Sequence, residues 1–327
     1  MSGEQPLPVG VVGVGALGRH HARHLAAMPA ARLVGVYDRD AERAAAVAAE
    51  VGTRAFPDLE SLCHSVAAVT IAVPTSAHAE VGLRVLGAGL PVLMEKPLAG
   101  TLEEADQLIA EAERRGVQIQ VGHIERFNRA VRAAAPYLDG PRYVETQRLA
   151  PFQPRGTDVA VVLDLMIHDL DLLIALTGGG EVAELRASGV SVLSPHLDIV
   201  NARVEFVGGT VASLTASRVA RDRLRRFRLF QPNGYLSLDL AAGTGEFMRL
   251  KPGWRSAAGQ SLADIVERVE LEAPEADALA LELASFVNAV RGDHDTVVTG
   301  AQGRAALALA LQVTAAVGES PLVLSGD

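Results

Sequence analysis

Two short segments carry side chains that could move a proton. In Glu95-Lys96-Pro97, a lysine closes the apolar run Val92-Leu93-Met94. An amine half-buried at the carboxyl edge of a parallel sheet has a lowered pKa and can donate or accept a proton. Pro97 restrains the residue before it and permits a cis bond that aims Lys96 inward. In Asp164-Leu165-Met166-Ile167-His168, the i, i+4 spacing puts a carboxylate and an imidazole on one helix face, which Asp171 extends. A carboxylate orients an imidazole and raises its basicity, which suits a general base acting on a hydroxyl-bearing carbon. The surrounding residues, from Val161 to Ile174, are largely apolar, so a buried Asp–His pair there is costly without a purpose. The competing readings are a lysine that reaches solvent, a structural Asp–His hydrogen bond, and Asp169 with Asp171 as a solvated edge. No further cluster with ligand spacing supports a metal site.

A third segment could hold phosphates. Gly13-Val14-Gly15-Ala16-Leu17-Gly18 follows a β-branched run and opens a helical stretch. Gly13 permits a tight turn, Gly15 lets backbone approach a pyrophosphate, and Gly18 lets the helix pack on the strand. The helix N-terminus then presents unpaired N–H groups to the phosphates. Asp38 lies twenty residues past Gly18, where a carboxylate accepts from ribose hydroxyls. That favours NAD over NADP, because a 2′-phosphate would meet a like charge. Arg39 argues the other way if Asp38 swings aside. Val73-Pro74-Thr75 ends the third apolar strand, His78 follows it and Glu95 ends the next, so they border the same crevice as cofactor contacts or as capping and first-turn residues.

Elements that alternate strand and helix must position these groups. Leu7–Val14, Arg32–Tyr37, Val66–Val73, Pro91–Glu95 and Val117–Val121 read as strands. Asp40, Ser76 and Thr101 read as helix caps, the last with Glu104 at capping-box spacing. The rhythm implies a doubly wound parallel sheet. Beyond residue 122 the pattern changes. A helix over 157–176 is followed by strand-like runs, with Gly208-Gly209 and Asn233-Gly234 as hairpin signals for a mainly antiparallel sheet. The expected fold is α/β: residues 1–122 form a Rossmann domain, and residues 123–327 form a substrate-binding and oligomerisation domain whose C-terminal helix packs back on the first.

Composition bounds the rest. At 327 residues, two domains are expected. With 49% apolar and 21% charged residues, the chain can build a sizeable core. A net charge of −9 argues against coating nucleic acid. One cysteine, Cys63, excludes an internal disulfide and any cysteine-built metal site. With no targeting signal and no apolar run long enough to span a bilayer, a cytoplasmic protein is expected.

Taken in order and spacing, the glycine loop, Asp38, Glu95-Lys96-Pro97 and Asp164-x-x-x-His168 resemble the Gfo/Idh/MocA oxidoreductases over nearly the whole chain. The resemblance implies NAD(P)-dependent chemistry at a sugar hydroxyl, with Lys96 and His168 holding the reacting oxygen and Asp164 completing a triad. Finer segments, His123-Ile124-Glu125-Arg126-Phe127-Asn128, Arg148 to Phe152, Arg155-Gly156-Thr157-Asp158 and Val162 to Asp169, resemble the subgroup that oxidises the 3-hydroxyl of UDP-N-acetylglucosamine. Ala130 and Met166 depart from the wider family, and Met166 is shared with that subgroup. On this reading Arg126, Arg148 and Arg155 are candidates for a diphosphate and Asn128 for a hydroxyl, against plain salt bridging. A second basic stretch runs from Arg218 to Arg228. The partners expected are a nucleotide sugar and a second copy in a homodimer or homotetramer, not nucleic acid or membrane. The rival readings are a dehydrogenase of a free sugar or inositol, a redox-neutral NAD-dependent glycosidase, and a non-catalytic NAD-binding sensor.

Overall fold

Six short runs pair in parallel: β1 (Leu7–Val12), β2 (Ala31–Tyr37), β3 (Arg54–Ala55), β4 (Ala68–Ile71), β5 (Val92–Glu95) and β6 (Ile119–Gly122). Their order is β3-β2-β1-β4-β5-β6, the doubly wound arrangement whose switch point lies between β1 and β4. The computed structural model describes residues 5–153, 159–251, 253–254, 261–318 and 322–323. It divides into two units, 1–124 with 276–307, and 125–275 with 308–327.

The helices of the first unit are α1 (Ala16–Ala27), α2 (Ala41–Val51), α3 (Leu59–Cys63), α4 (His78–Gly87) and α5 (Leu102–Arg115). Asp40 caps α2 by accepting from the Arg43 N–H at 3.0 Å, and Thr101 with Glu104 forms the expected capping box on α5. Ser76 does not cap α4. A 3₁₀ turn over Thr75–Ala77, closed by the Pro74 carbonyl, intervenes, and α4 starts at His78. Adjacent residues of β5 serve opposite faces. Leu93 joins the core cluster containing Val11, Leu25 and Val36, while Met94 and Leu108 both pack against Gly82.

The second unit holds β7 (Tyr143–Leu149), β8 (Val182–Ser191), β9 (Ile199–Phe206), β10 (Val211–Ser217), β11 (Leu224–Gln231), β12 (Gly234–Asp239), β13 (Thr244–Leu250), β14 (Val266–Glu270) and β15 (Leu322–Val323). The order is β14-β13-β12-β11-β7-β10-β9-β8-β15. Among the described residues only β7 with β10 and β8 with β15 pair in parallel, so the sheet is mainly antiparallel. Both hairpin signals sit where expected: Gly209 takes φ +83° between β9 and β10, and Gly234 begins β12. Period-2 burial is clear. Val144, Leu214, Val204, Phe227, Leu229 and Leu236 are buried, while Glu145, Gln147, Asn201, Arg203 and Arg226 are half-buried or exposed on the other face.

Helices α6 (Arg129–Ala134), α7 (Ile167–Thr177) and α8 (Leu262–Ile265) belong to this unit. The helix expected from residue 157 differs. Residues 154–158 lie outside those described, and a π-helical turn over Val162–Met166 leads into α7. The first unit is completed by α9 (Ala278–Arg291), whose Leu283, Phe286 and Val287 enter its core cluster, and by the start of α10 (Gly300–Ala316), where Gly303 packs on Val121. The returning segment is therefore longer than one C-terminal helix. No helix among the described residues is long and apolar enough to cross a membrane.

Candidate active site

The glycine loop has the geometry its residue types imply. Gly13 takes φ +80°, and a Cβ there would lie 2.8 Å from the Val73 backbone nitrogen. A Cβ on Gly18 would sit 1.8 Å from the Gly13 carbonyl oxygen, so no side chain fits. A Cβ on Gly15 would meet nothing within 4 Å. That open side faces the start of α1, whose first turn has no side-chain cap and no acidic residue, leaving Ala16 and Leu17 N–H groups for an anion. Asp38 is 8% exposed. Its Oδ2 accepts from the Val14 N–H at 2.8 Å and its Oδ1 from the Asp40 N–H at 2.9 Å. These bonds stop it from swinging aside, so Arg39, exposed beside it, does not gain a 2′-phosphate site that way. A cleft of about 250 Å³ lined by Asp38, Arg39, Phe56 and Pro57 continues from the carboxylate. The residues present therefore fit the adenosine and pyrophosphate of NAD.

The ends of β4 and β5 come next. Val73 and Thr75 are half-buried and Pro74 is exposed. His78 is 1% exposed, with Nδ1 2.8 Å from the Pro97 carbonyl oxygen and Nε2 3.0 Å from that of Val73. Each ring nitrogen lies against a strand-end carbonyl, and a neutral imidazole donates to one of the two, with the Nδ1 contact to Pro97 the shorter. Burial pulls the imidazole below the usual histidine range, against the two carbonyls and the Glu95 carboxylate. Lys96 is half-buried and the Lys96–Pro97 peptide is cis. Glu95 is 7% exposed, and its Oε1 meets His21 Nε2 at 3.0 Å. His21 was missed in the sequence, although Gly18, Ala22 and Leu25 place it on the buried stripe of α1.

In the second unit, Asp164 sits in the π-helical turn and His168 in the first turn of α7, both half-buried. Single π turns recur at functional sites because they re-aim side chains. Asp169 and Asp171 are not a solvated edge. Both are buried and each meets an arginine. Arg148, 2% exposed, donates to Asp169 Oδ1 from Nε and Nη2 at 3.0 and 2.7 Å and to Glu125 from Nη1 at 2.8 Å. Burial opposes its charge, but the Asp169 and Glu125 carboxylates hold the guanidinium protonated. Arg126 clasps Asp171 bidentately at 2.6 and 2.8 Å. Asn128 caps α6 and donates to Glu125 and to the Leu240 carbonyl.

Arg126 and Arg148 thus sit in internal ion pairs, the alternative weighed against a diphosphate role, and Asn128 in internal hydrogen bonds. Arg155 lies outside the described residues. Glu125, unassigned from sequence, is the hub of this network and also faces Arg225 at 3.4 Å. In the second basic stretch, Arg218 is buried against Asp198, while Arg221 and Arg223 are exposed and have no ion pair with a described residue.

Comparison with known proteins gives a consistent result. Residues 7–123 match the Gfo/Idh/MocA model described as an oxidoreductase family with NAD-binding Rossmann fold, and residues 129–237 match the family's C-terminal domain. The UDP-N-acetylglucosamine 3-dehydrogenase of Acidithiobacillus ferrooxidans is 43% identical over 317 residues, 94% of this chain and 96% of that protein. A solved structure of that dehydrogenase superposes with a TM-score of 0.87 at 41% identity, covering 95% of this chain and 97% of that one. The inositol 2-dehydrogenase of Rubrobacter xylanophilus is 38% identical over 179 residues, 50% of each chain. Levoglucosan dehydrogenase, solved with NADH and levoglucosan, shares the fold at a TM-score of 0.83 and 20% identity, over 96% of this chain and 98% of that one.

Proposed function

The chain belongs to the Gfo/Idh/MocA family of NAD-binding oxidoreductases, and on that premise we propose that it oxidises the 3-hydroxyl of UDP-N-acetylglucosamine or a related nucleotide sugar. The observation that carries this reading is 43% identity, over nearly all of both chains, to a dehydrogenase of that specificity. The inositol dehydrogenase match spans only half of the chain, which favours the nucleotide sugar.

NAD, when bound, supplies the hydride acceptor. His168 takes the proton from the sugar hydroxyl as general base. Asp164 orients the imidazole and stabilises its charged form. Lys96 hydrogen-bonds the oxygen as negative charge develops on it. Lys96 is one of two lysines in the chain, the other being Lys251, so an amine is used here where nearly every other cation is arginine. An amine changes protonation state readily and a guanidinium does not, which suits a residue in contact with a reacting oxygen.

With Arg126, Arg148 and Arg225 in internal ion pairs, the guanidinium groups best suited to a diphosphate are Arg221 and Arg223, between β10 and the start of β11. The outward face of the second sheet carries the ring cluster Tyr143, Phe230 and Tyr235, with centroids 5.6 and 4.6 Å apart. We assign that face to a second copy of the chain in a homodimer or homotetramer, and the enzyme to the cytoplasm. The test is product analysis: equal amounts of NADH and a 3-keto nucleotide sugar are expected.

A further inference from the structure

We propose that His21 and His78 are positioning residues that hold Lys96 from both sides, the first through Glu95 and the second through Pro97. The inference rests on the reading of Lys96 as the residue that meets the substrate oxygen.

β5 ends at Glu95, so Lys96 is the first residue past the strand, and the residues on either side of it are bonded to other elements. Glu95 points one carboxylate oxygen at His21 Nε2, 3.0 Å away, while the other accepts from the Lys96 backbone N–H at 3.3 Å. Gly122 at the end of β6 makes room for that carboxylate, because a Cβ there would lie 3.0 Å from the Glu95 carboxyl carbon. On the other side, the Pro97 carbonyl oxygen lies 2.8 Å from His78 Nδ1.

Both histidines are buried, at 0% and 1% exposure. Burying an imidazole is costly unless its polar atoms are bonded. His21 accepts that cost for a single bond. Its Nδ1 has no hydrogen-bond partner among the described residues, and its Nε2 is on Glu95. An apolar side chain would fill the same space at lower cost, so the bond to Glu95 is what the histidine adds. The two braces start from helices next to the cofactor segments. α1 follows the glycine loop, and α4 follows Val73-Pro74-Thr75. Seating the dinucleotide and placing Lys96 therefore use the same two helices.

The test compares apolar and amide replacements in the full-length enzyme. His21→Leu and His78→Leu remove the bonds. His21→Gln returns a donor near the old Nε2, and His78→Asn returns one near the old Nδ1. For the leucine variants we expect kcat to fall about tenfold or more while the Kd for NAD stays within about twofold, and the amide variants to regain most of the loss. Lys96 acylation, followed by mass spectrometry with Lys251 as internal reference, should rise about threefold or more in the leucine variants and return in the amide variants. Leucine variants with native kcat and native labelling would overturn the proposal. So would a kcat loss that the amides do not rescue, a Kd for NAD that rises in step with it, or failure of all four variants to fold. If the wild-type enzyme does not turn over nucleotide sugars, the substrate reading fails by itself and the labelling ratio still decides the role of the two histidines.

Discussion

Arg148 in β7 holds Asp169, the residue after His168, through two nitrogens at 3.0 and 2.7 Å. Two residues further along the same helix, Asp171 is clasped by Arg126. The helix that carries the proposed base is therefore pinned by two ion pairs, one buried and one part-buried. A structural ion pair of this kind stabilises little in itself, but removing one partner leaves a buried charge uncompensated.

Replacing Arg148 should accordingly show as a loss of stability. We expect Arg148→Met to lower the unfolding free energy by about 3–5 kcal/mol in urea melts. A loss below about 1 kcal/mol, accompanied by weaker nucleotide-sugar binding, would return Arg148 to the ligand contacts.

Asp38 should govern the cofactor. Its carboxylate is fixed by the Val14 and Asp40 N–H groups beside the cleft lined by Arg39 and Phe56. Asp38→Ser should weaken NAD by about tenfold or more, since a hydrogen bond to a charged group contributes about 1.5–3 kcal/mol. Titration of both dinucleotides checks this, and an unchanged NAD affinity would contradict it.

Cys63 should be inert. Burial pushes its thiol up to about 11, so below that pH the unreactive protonated form dominates. Iodoacetamide at about pH 8 should leave both the intact mass and the activity of the native enzyme unchanged. Rapid single labelling would refute this.

Lys96 and His168 should each matter for turnover rather than for folding. Lys96→Ala and His168→Ala are expected to lower kcat by about 10²–10⁴-fold, the range for a positioned acid or base. Turnover like that of the wild type in both variants would remove them from the proposed chemistry.

The parts that were legible in the sequence are local. The glycine loop, the cap at Asp40 and the capping box at Thr101 depend on residues a few positions apart, and each takes the expected geometry. The partners of Arg126 and Arg148 were not legible, because they lie 45 and 21 residues away and only the tertiary fold brings them together. The π turn at Asp164 was equally hidden, since hydrophobic periodicity does not register one additional residue in a helical turn. His21 could have been found, because it lies on the helical stripe of Gly18, Ala22 and Leu25, where a polar residue calls for a partner.

The most direct measurement is the nicotinamide absorbance of purified enzyme with NAD, offered UDP-N-acetylglucosamine, other UDP-sugars, free sugars and inositols in parallel. We expect NADH to appear with UDP-N-acetylglucosamine or a close nucleotide sugar, matched mole for mole by a 3-keto product. Turnover of a free polyol with none on any nucleotide sugar, or release of free sugar without NADH, would contradict it.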